Sequence, residues 1–191
     1  MNFFENYHKK PFFLKALLIA TLLVLLKWIF SYIYFDEDIS LRVIFDSQDS
    51  TYYPLIKTFS EFNLSPSYSQ TLGELKFISF PVLSLLINSF FFKFIGSYSF
   101  IILEIICSAL FLFIFYNIFL KIQFSVFFSI IISVFLFILP SLLIDLSLLD
   151  IKILDLLSVN FQKFYSMRFP RPIISNLFFF AFINFLIDFY L

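Results

Sequence analysis

The residues best suited to chemistry are carboxylates gathered in one stretch. Asp36, Glu37, Asp38, Asp46, Asp49, Glu61 and Glu74 lie between two apolar runs, opposed only by Arg42, Lys57 and Lys76. Asp46 and Asp49 stand three residues apart, just before a helical pattern in which Tyr52, Leu55, Ile56, Phe59 and Phe62 fall on one face. Asp49, Ser50 and Thr51 are N-cap residue types, and Pro54 suits a first turn. The spacing predicts an amphipathic helix lying on a membrane surface with a carboxylate at its start. Two roles for that carboxylate stay open. A cap alone accounts for it, at about 1 kcal/mol of stabilisation. A general base, or an oxygen-ligand site for a divalent ion such as Mg or Mn, accounts for it as well.

A second cluster is basic. Arg168-Phe-Pro-Arg171-Pro172 sets two guanidinium groups in a proline-stiffened turn, suited to clasping a lipid phosphate. The same residues also read as a positively charged flank with proline opening the next helix. Lys93 and Glu104 interrupt apolar runs on either side of Gly96-Ser97. A charge inside hydrocarbon costs roughly 2.5–3.5 kcal/mol, so the expectation is that these two pair as a structural clasp. Lys27, near the end of the first apolar run, either snorkels to the interface or meets a carboxylate of the acidic stretch. Ser84 with Asn88, and Ser89 with Lys93, stand at i and i+4 and are expected to hydrogen-bond within the bundle. Cys107 is the single cysteine and reads as an inert buried residue, and the single histidine, His8, as a solvated tail residue.

The elements that must position these groups are membrane spans. The chain has 191 residues, of which 61% are apolar and 14% charged, and its mean hydropathy is +0.98. Ordinary globular domains are about 45–50% apolar and about 25% charged. The composition therefore predicts an all-α, polytopic integral membrane protein. Thirteen basic residues balance thirteen acidic ones, which leaves no basic footprint for nucleic acid. One cysteine excludes an internal disulfide, and one histidine argues against His-rich metal sites and Ser-His-Asp chemistry. The 34 phenylalanines follow no stripe and read as lipid-facing bulk.

Crossing about 30 Å of hydrocarbon takes roughly 20 residues. Five spans are expected. A tail over 1–11 precedes the first span at 12–35. A large outer loop with the surface helix covers 36–77, and three spans cover 78–144. An amphipathic or re-entrant connection covers 145–172, and the last span is 173–191. The first run is too long for a signal peptide and lacks a small-x-small cleavage site; Trp28, Tyr32 and Tyr34 mark an outer aromatic belt. With the N-terminus cytoplasmic, five spans place Lys9, Lys10, Lys93, Lys152, Lys163, Arg168 and Arg171 inside. Arg42, Lys57, Lys76 and Lys121 then lie outside, and the positive-inside rule favours this orientation in a bacterial-type inner membrane.

Asp46 to Pro54, Phe80-Pro81 opening the second run, and Phe94-Ile95-Gly96-Ser97-Tyr98-Ser99-Phe100 at the hairpin carry a resemblance. A helix, a large outward loop with an early acidic site and a surface helix, then tightly joined helices resembles the N-terminal part of the GT-C superfamily of polytopic glycosyltransferases. The resemblance implies transfer of a sugar from a polyprenyl-phosphate carrier to an acceptor at the outer membrane face. It implies Asp49 as the base and Asp46 as an auxiliary or metal ligand. Such enzymes have about twice as many helices, so the resemblance implies a fragment, completed by a C-terminal portion or a partner subunit. The competing expectation is a non-enzymatic polytopic protein, such as a transporter or flippase fragment or an assembly subunit. That role would draw on Glu104, Lys93 and Lys27 instead.

Overall fold

A computed structural model describes residues 3–34, 52–62, 82–147 and 173–190. They form the helices α1 (Phe3–Tyr34), α2 (Tyr52–Ser60), α3 (Val82–Ile95), α4 (Tyr98–Lys121), α5 (Val126–Ser147) and α6 (Ile173–Tyr190), with no strand among the described residues. The all-α expectation holds. The spans do not follow in full. Among the described residues, α4 and α6 are long and apolar enough to cross a membrane, while Leu14–Leu26, Val82–Ile95 and Val126–Pro140 are shorter apolar stretches.

Residues 78–81 of the expected second span lie outside the described residues. Its described part is the helix Val82–Ile95, of 14 residues. At 1.5 Å per residue that is about 21 Å, short of the hydrocarbon thickness. By contrast, α1 begins at Phe3 inside the expected tail and runs for 32 residues, or about 48 Å.

The core is organised around α4, which packs on α1, α3, α5 and α6. Small residues bring α1 close: Ala16 and Ala20 are fully buried against Ala109, Leu112 and Tyr116. Small side chains let the two helix backbones approach closely. The Phe12 ring stacks on Tyr116 with centroids 3.7 Å apart, whereas Trp28 meets Glu104. Ascending α1 therefore descends α4, and the two are antiparallel. Ile130, Val134 and Phe137 of α5 pack in the cluster of Ala16, Ala20 and Tyr116. The chain enters α5 through a tight turn after Lys121. There Gln123, at φ 69°, donates to the Leu120 carbonyl and Phe124 to the Phe119 carbonyl, which is a Schellman ending. So α5 is also antiparallel to α4. In α6, Phe180 packs on Phe111 and Phe115 at 5.9 and 5.0 Å, while Asn184 and Asp188 meet Lys121. So α6 runs parallel to α4.

These directions give the bundle two ends. One gathers the end of α1, the Gly96-Ser97 turn, the start of α4, the end of α5 and the start of α6; we call it the loop end. The other, the turn end, holds the start of α1, the turn at Gln123 and the end of α6.

Candidate functional site

The loop end is closed by α2 and α3. Leu55, Ile56 and Phe59, the apolar face of α2, are buried with Val24 and Trp28 of α1, Leu85 of α3 and Phe100 of α4. Pro54 and Lys57 face outward. The surface helix predicted from its spacing is therefore present and docked. It stops at Ser60, so Phe62 is not on the buried face. Phe62 has φ 62° and is exposed, and the Lys93 ammonium sits 3.8 Å from the centre of its ring. Tyr53, Phe92 and Phe100 form an aromatic triangle with centroids 5.8–6.0 Å apart. Gly96 allows the sharp turn between α3 and α4: at φ +64° it adopts the left-handed conformation that ends a helix cheaply, and its N–H donates to the Phe92 carbonyl at 2.8 Å.

Beneath this cover lies a polar seam in the apolar interior. Ser84, Asn88 and Ser89 of α3 and Ser99, Glu104 and Ser108 of α4 are all buried. The Trp28 indole N–H donates to the Glu104 carboxylate (Oε2) at 2.6 Å, short enough for a bond assisted by the anion's charge. The Asn88 amide donates to the Ser84 carbonyl at 2.8 Å, and the Ser89 hydroxyl to the Leu85 carbonyl at 2.7 Å. Ser89 thus bonds back to its own helix rather than to Lys93. Asn88 Oδ1 and Ser99 Oγ are buried without a hydrogen-bond partner.

The expected Lys93–Glu104 ion pair is corrected by this arrangement. Lys93 projects from the exposed side of α3 onto Phe62, whereas Glu104 faces α1 from inside the bundle. Sequence reasoning placed Trp28 in an aromatic belt and missed it as a partner. The available signal was depth: Trp28 lies six residues before the end of α1 and Glu104 six after the start of α4, at a shared end. At the turn end, Lys121 donates to the Asn184 backbone carbonyl at 2.9 Å and to its side-chain oxygen at 2.7 Å, and pairs with Asp188 at 2.7 Å. That clasp was also missed, since a terminal lysine reads as a solvated flank.

Asp46, Asp49, Arg168 and Arg171 lie outside the described residues, as do the expected cap residues Ser50 and Thr51 and the side chain of Lys27. The Mg or Mn expectation rests on Asp46 and Asp49 and lies outside them too. Among the described residues no group of three or more His, Cys, Asp or Glu could hold a metal ion. What the helices do define is where the connections begin and end. The chain leaves α1 and returns at α2 at the loop end, and it leaves α5 and returns at α6 at that same end. Comparisons with family models, with characterised proteins and with solved structures return no match to this chain.

Proposed function

We propose that the chain is an integral protein of the inner (plasma) membrane whose working face is the loop end, and that it forms a GT-C-like module for sugar transfer from a polyprenyl-phosphate carrier. Four helices, α1, α4, α5 and α6, cross in this reading, rather than five, while α2 and α3 cap one end. The observation that carries it is the convergence of both long connections on the loop end. Five spans would put the Asp46–Asp49 stretch and the Arg168–Arg171 turn on opposite sides of the bilayer; four put them on the same side. There Asp49 takes the proton from an acceptor hydroxyl, whose oxygen bonds to the anomeric carbon as the bond from that carbon to the lipid phosphate breaks. Asp46 holds the base or a divalent ion, and Arg168 and Arg171 neutralise the departing phosphate. A partner subunit or a further C-terminal portion supplies the remaining donor contacts.

The test is binding of undecaprenyl phosphate to the chain in nanodiscs. The expected result is that Arg168→Gln with Arg171→Gln weakens binding at least about tenfold, two charge-assisted contacts being worth well over 1.4 kcal/mol, and that Asp49→Asn leaves binding intact while abolishing transfer by the complete assembly. Undiminished binding by the double arginine variant would sink the reading. A second reading, a non-enzymatic transport or assembly subunit, is favoured by one observation: the buried Glu104 carboxylate on Trp28. It requires Glu104→Gln, and not Asp49→Asn, to abolish the cellular role.

A further inference from the structure

The outer side of α3 is an apolar strip with a charge at one end. Leu83, Leu86, Phe90 and Phe94 stand at i, i+3, i+7 and i+11, and all four are exposed. Ser84, Leu85, Asn88 and Ser89 are buried instead. The four exposed side chains therefore run along one line of the helix, over about 17 Å at 1.5 Å per residue. That length matches one leaflet, half of the roughly 30 Å of hydrocarbon. Phe90 and Phe94 meet in edge contact, with centroids 5.1 Å apart. Lys93 stands beside the last turn of the strip, at the loop end, and is exposed. Its ammonium sits 3.8 Å from the centre of the Phe62 ring. It forms no ion pair with Glu61, the neighbour of Phe62, or with any other described residue. Lys121 at the turn end is the contrast, since Asn184 and Asp188 take up its donors. A ring holds an ammonium through its charge and leaves N–H groups of Lys93 to donate elsewhere.

We infer that this strip seats one anionic phospholipid, its phosphate on the Lys93 ammonium and an acyl chain along Leu83, Leu86, Phe90 and Phe94. The inference rests on the membrane reading above and not on sugar transfer. Length and charge together name the occupant. A phosphate without a chain leaves the strip uncovered, and a chain without a phosphate leaves the ammonium unpaired. A zwitterionic lipid carries a cation of its own that competes for its phosphate, whereas a net negative headgroup leaves the phosphate to Lys93. Phe62 acts as a positioning residue: its ring restrains a long side chain that otherwise samples many rotamers.

Quenching by brominated lipids tests the site. Phe90→Trp places an indole on the strip, and the unaltered chain, whose Trp28 is buried, serves as the blank. The full chain is reconstituted in phosphatidylcholine bilayers that contain brominated phosphatidylglycerol or, in parallel, brominated phosphatidylcholine at the same mole fraction. The expected result is that phosphatidylglycerol associates with the strip about fivefold more strongly, the effect of one lysine near a membrane surface. Lys93→Gln should abolish that preference, Phe62→Leu should lower it, and Lys93→Arg should keep it. Lys15→Gln, on the exposed side of α1, should leave it unchanged. Equal quenching by the two lipids, or a preference that survives Lys93→Gln, overturns the site and leaves the membrane reading intact. Undecaprenyl phosphate relieving the quenching more strongly than unlabelled phosphatidylglycerol gives the strip to that carrier and overturns the phospholipid assignment. Quenching by neither brominated lipid overturns the membrane reading and the site with it.

Discussion

The indole N–H of Trp28 and the carboxylate of Glu104 are 2.6 Å apart and tie α1 to α4 across 76 residues of sequence. Both residues are buried, at 5% exposure each. Such a bond joins the two helices where an unpaired carboxylate would be most costly. Hydrogen bonds to charged groups contribute about 1.5–3 kcal/mol, and those within membranes usually less.

Trp28→Phe keeps most of the ring and removes the donor. It is expected to lower stability by about 1–2 kcal/mol, and a double-mutant cycle with Glu104→Gln should show a coupling of at least about 0.5 kcal/mol. Denaturant titration in detergent micelles measures both, and purely additive losses would refute the bond.

For Lys93 and Glu104 the opposite holds. Lys93→Gln and Glu104→Gln should add to within about 0.5 kcal/mol, because the two side chains have separate partners. The coupled partner of Lys93 is instead Phe62, at an exposed cation–π contact contributing about 0.5–1 kcal/mol. Phe62→Leu should therefore remove most of what Lys93→Gln costs, measured by the same titration.

At the turn end, Lys121→Met is expected to loosen α6, costing about 1–3 kcal/mol through the lost contacts to Asn184. Asp188→Asn should cost under about 1 kcal/mol, since Asp188 is 59% exposed and solvent screens its share. Limited proteolysis of the α5–α6 connection, followed by co-purification of the α6 fragment, distinguishes the two variants.

Gln123→Gly should be stabilising by about 0.5–1 kcal/mol. Gln123 holds a left-handed conformation at the end of α4, which glycine adopts without a Cβ penalty. A fall in stability would show that the glutamine side chain contributes more than its backbone strain costs.

Ala16→Leu and Ala20→Leu should each cost about 1–3 kcal/mol by forcing α1 away from α4. Both alanines are 0% exposed against Ala109, Leu112 and Tyr116. Thermal unfolding should show the loss for both variants, while Leu18→Ala, on the exposed side, should stay within about 0.5 kcal/mol.

Much of this architecture can be read from the chain. The runs that became α4 and α6 are long and broken by few polar residues, and their helices begin at Tyr98 and Ile173, where the apolar runs begin. The surface helix was legible because Leu55, Ile56 and Phe59 follow its period. Of the second expected span, Val82–Ile95 is helical among the described residues, and hydropathy alone does not say where a helix starts. Hydropathy ranks residues by polarity and carries no azimuth, so it could not say that Glu104 turns toward α1 and Lys93 away from α4. The carboxylates at 46 and 49 and the arginines at 168 and 171 are legible as chemistry from the sequence alone.

The arrangement of α1 and α4 has a consequence for biosynthesis. A chain made from its N-terminus completes α1 about seventy residues before Glu104 emerges. When α4 forms, the Trp28 donor that its acid takes up is already made. A chain deprived of its first helix, or permuted so that α4 is made first, would form α4 without that donor. The pairing of α4 with α1 is thus favoured by the order in which the protein is synthesised.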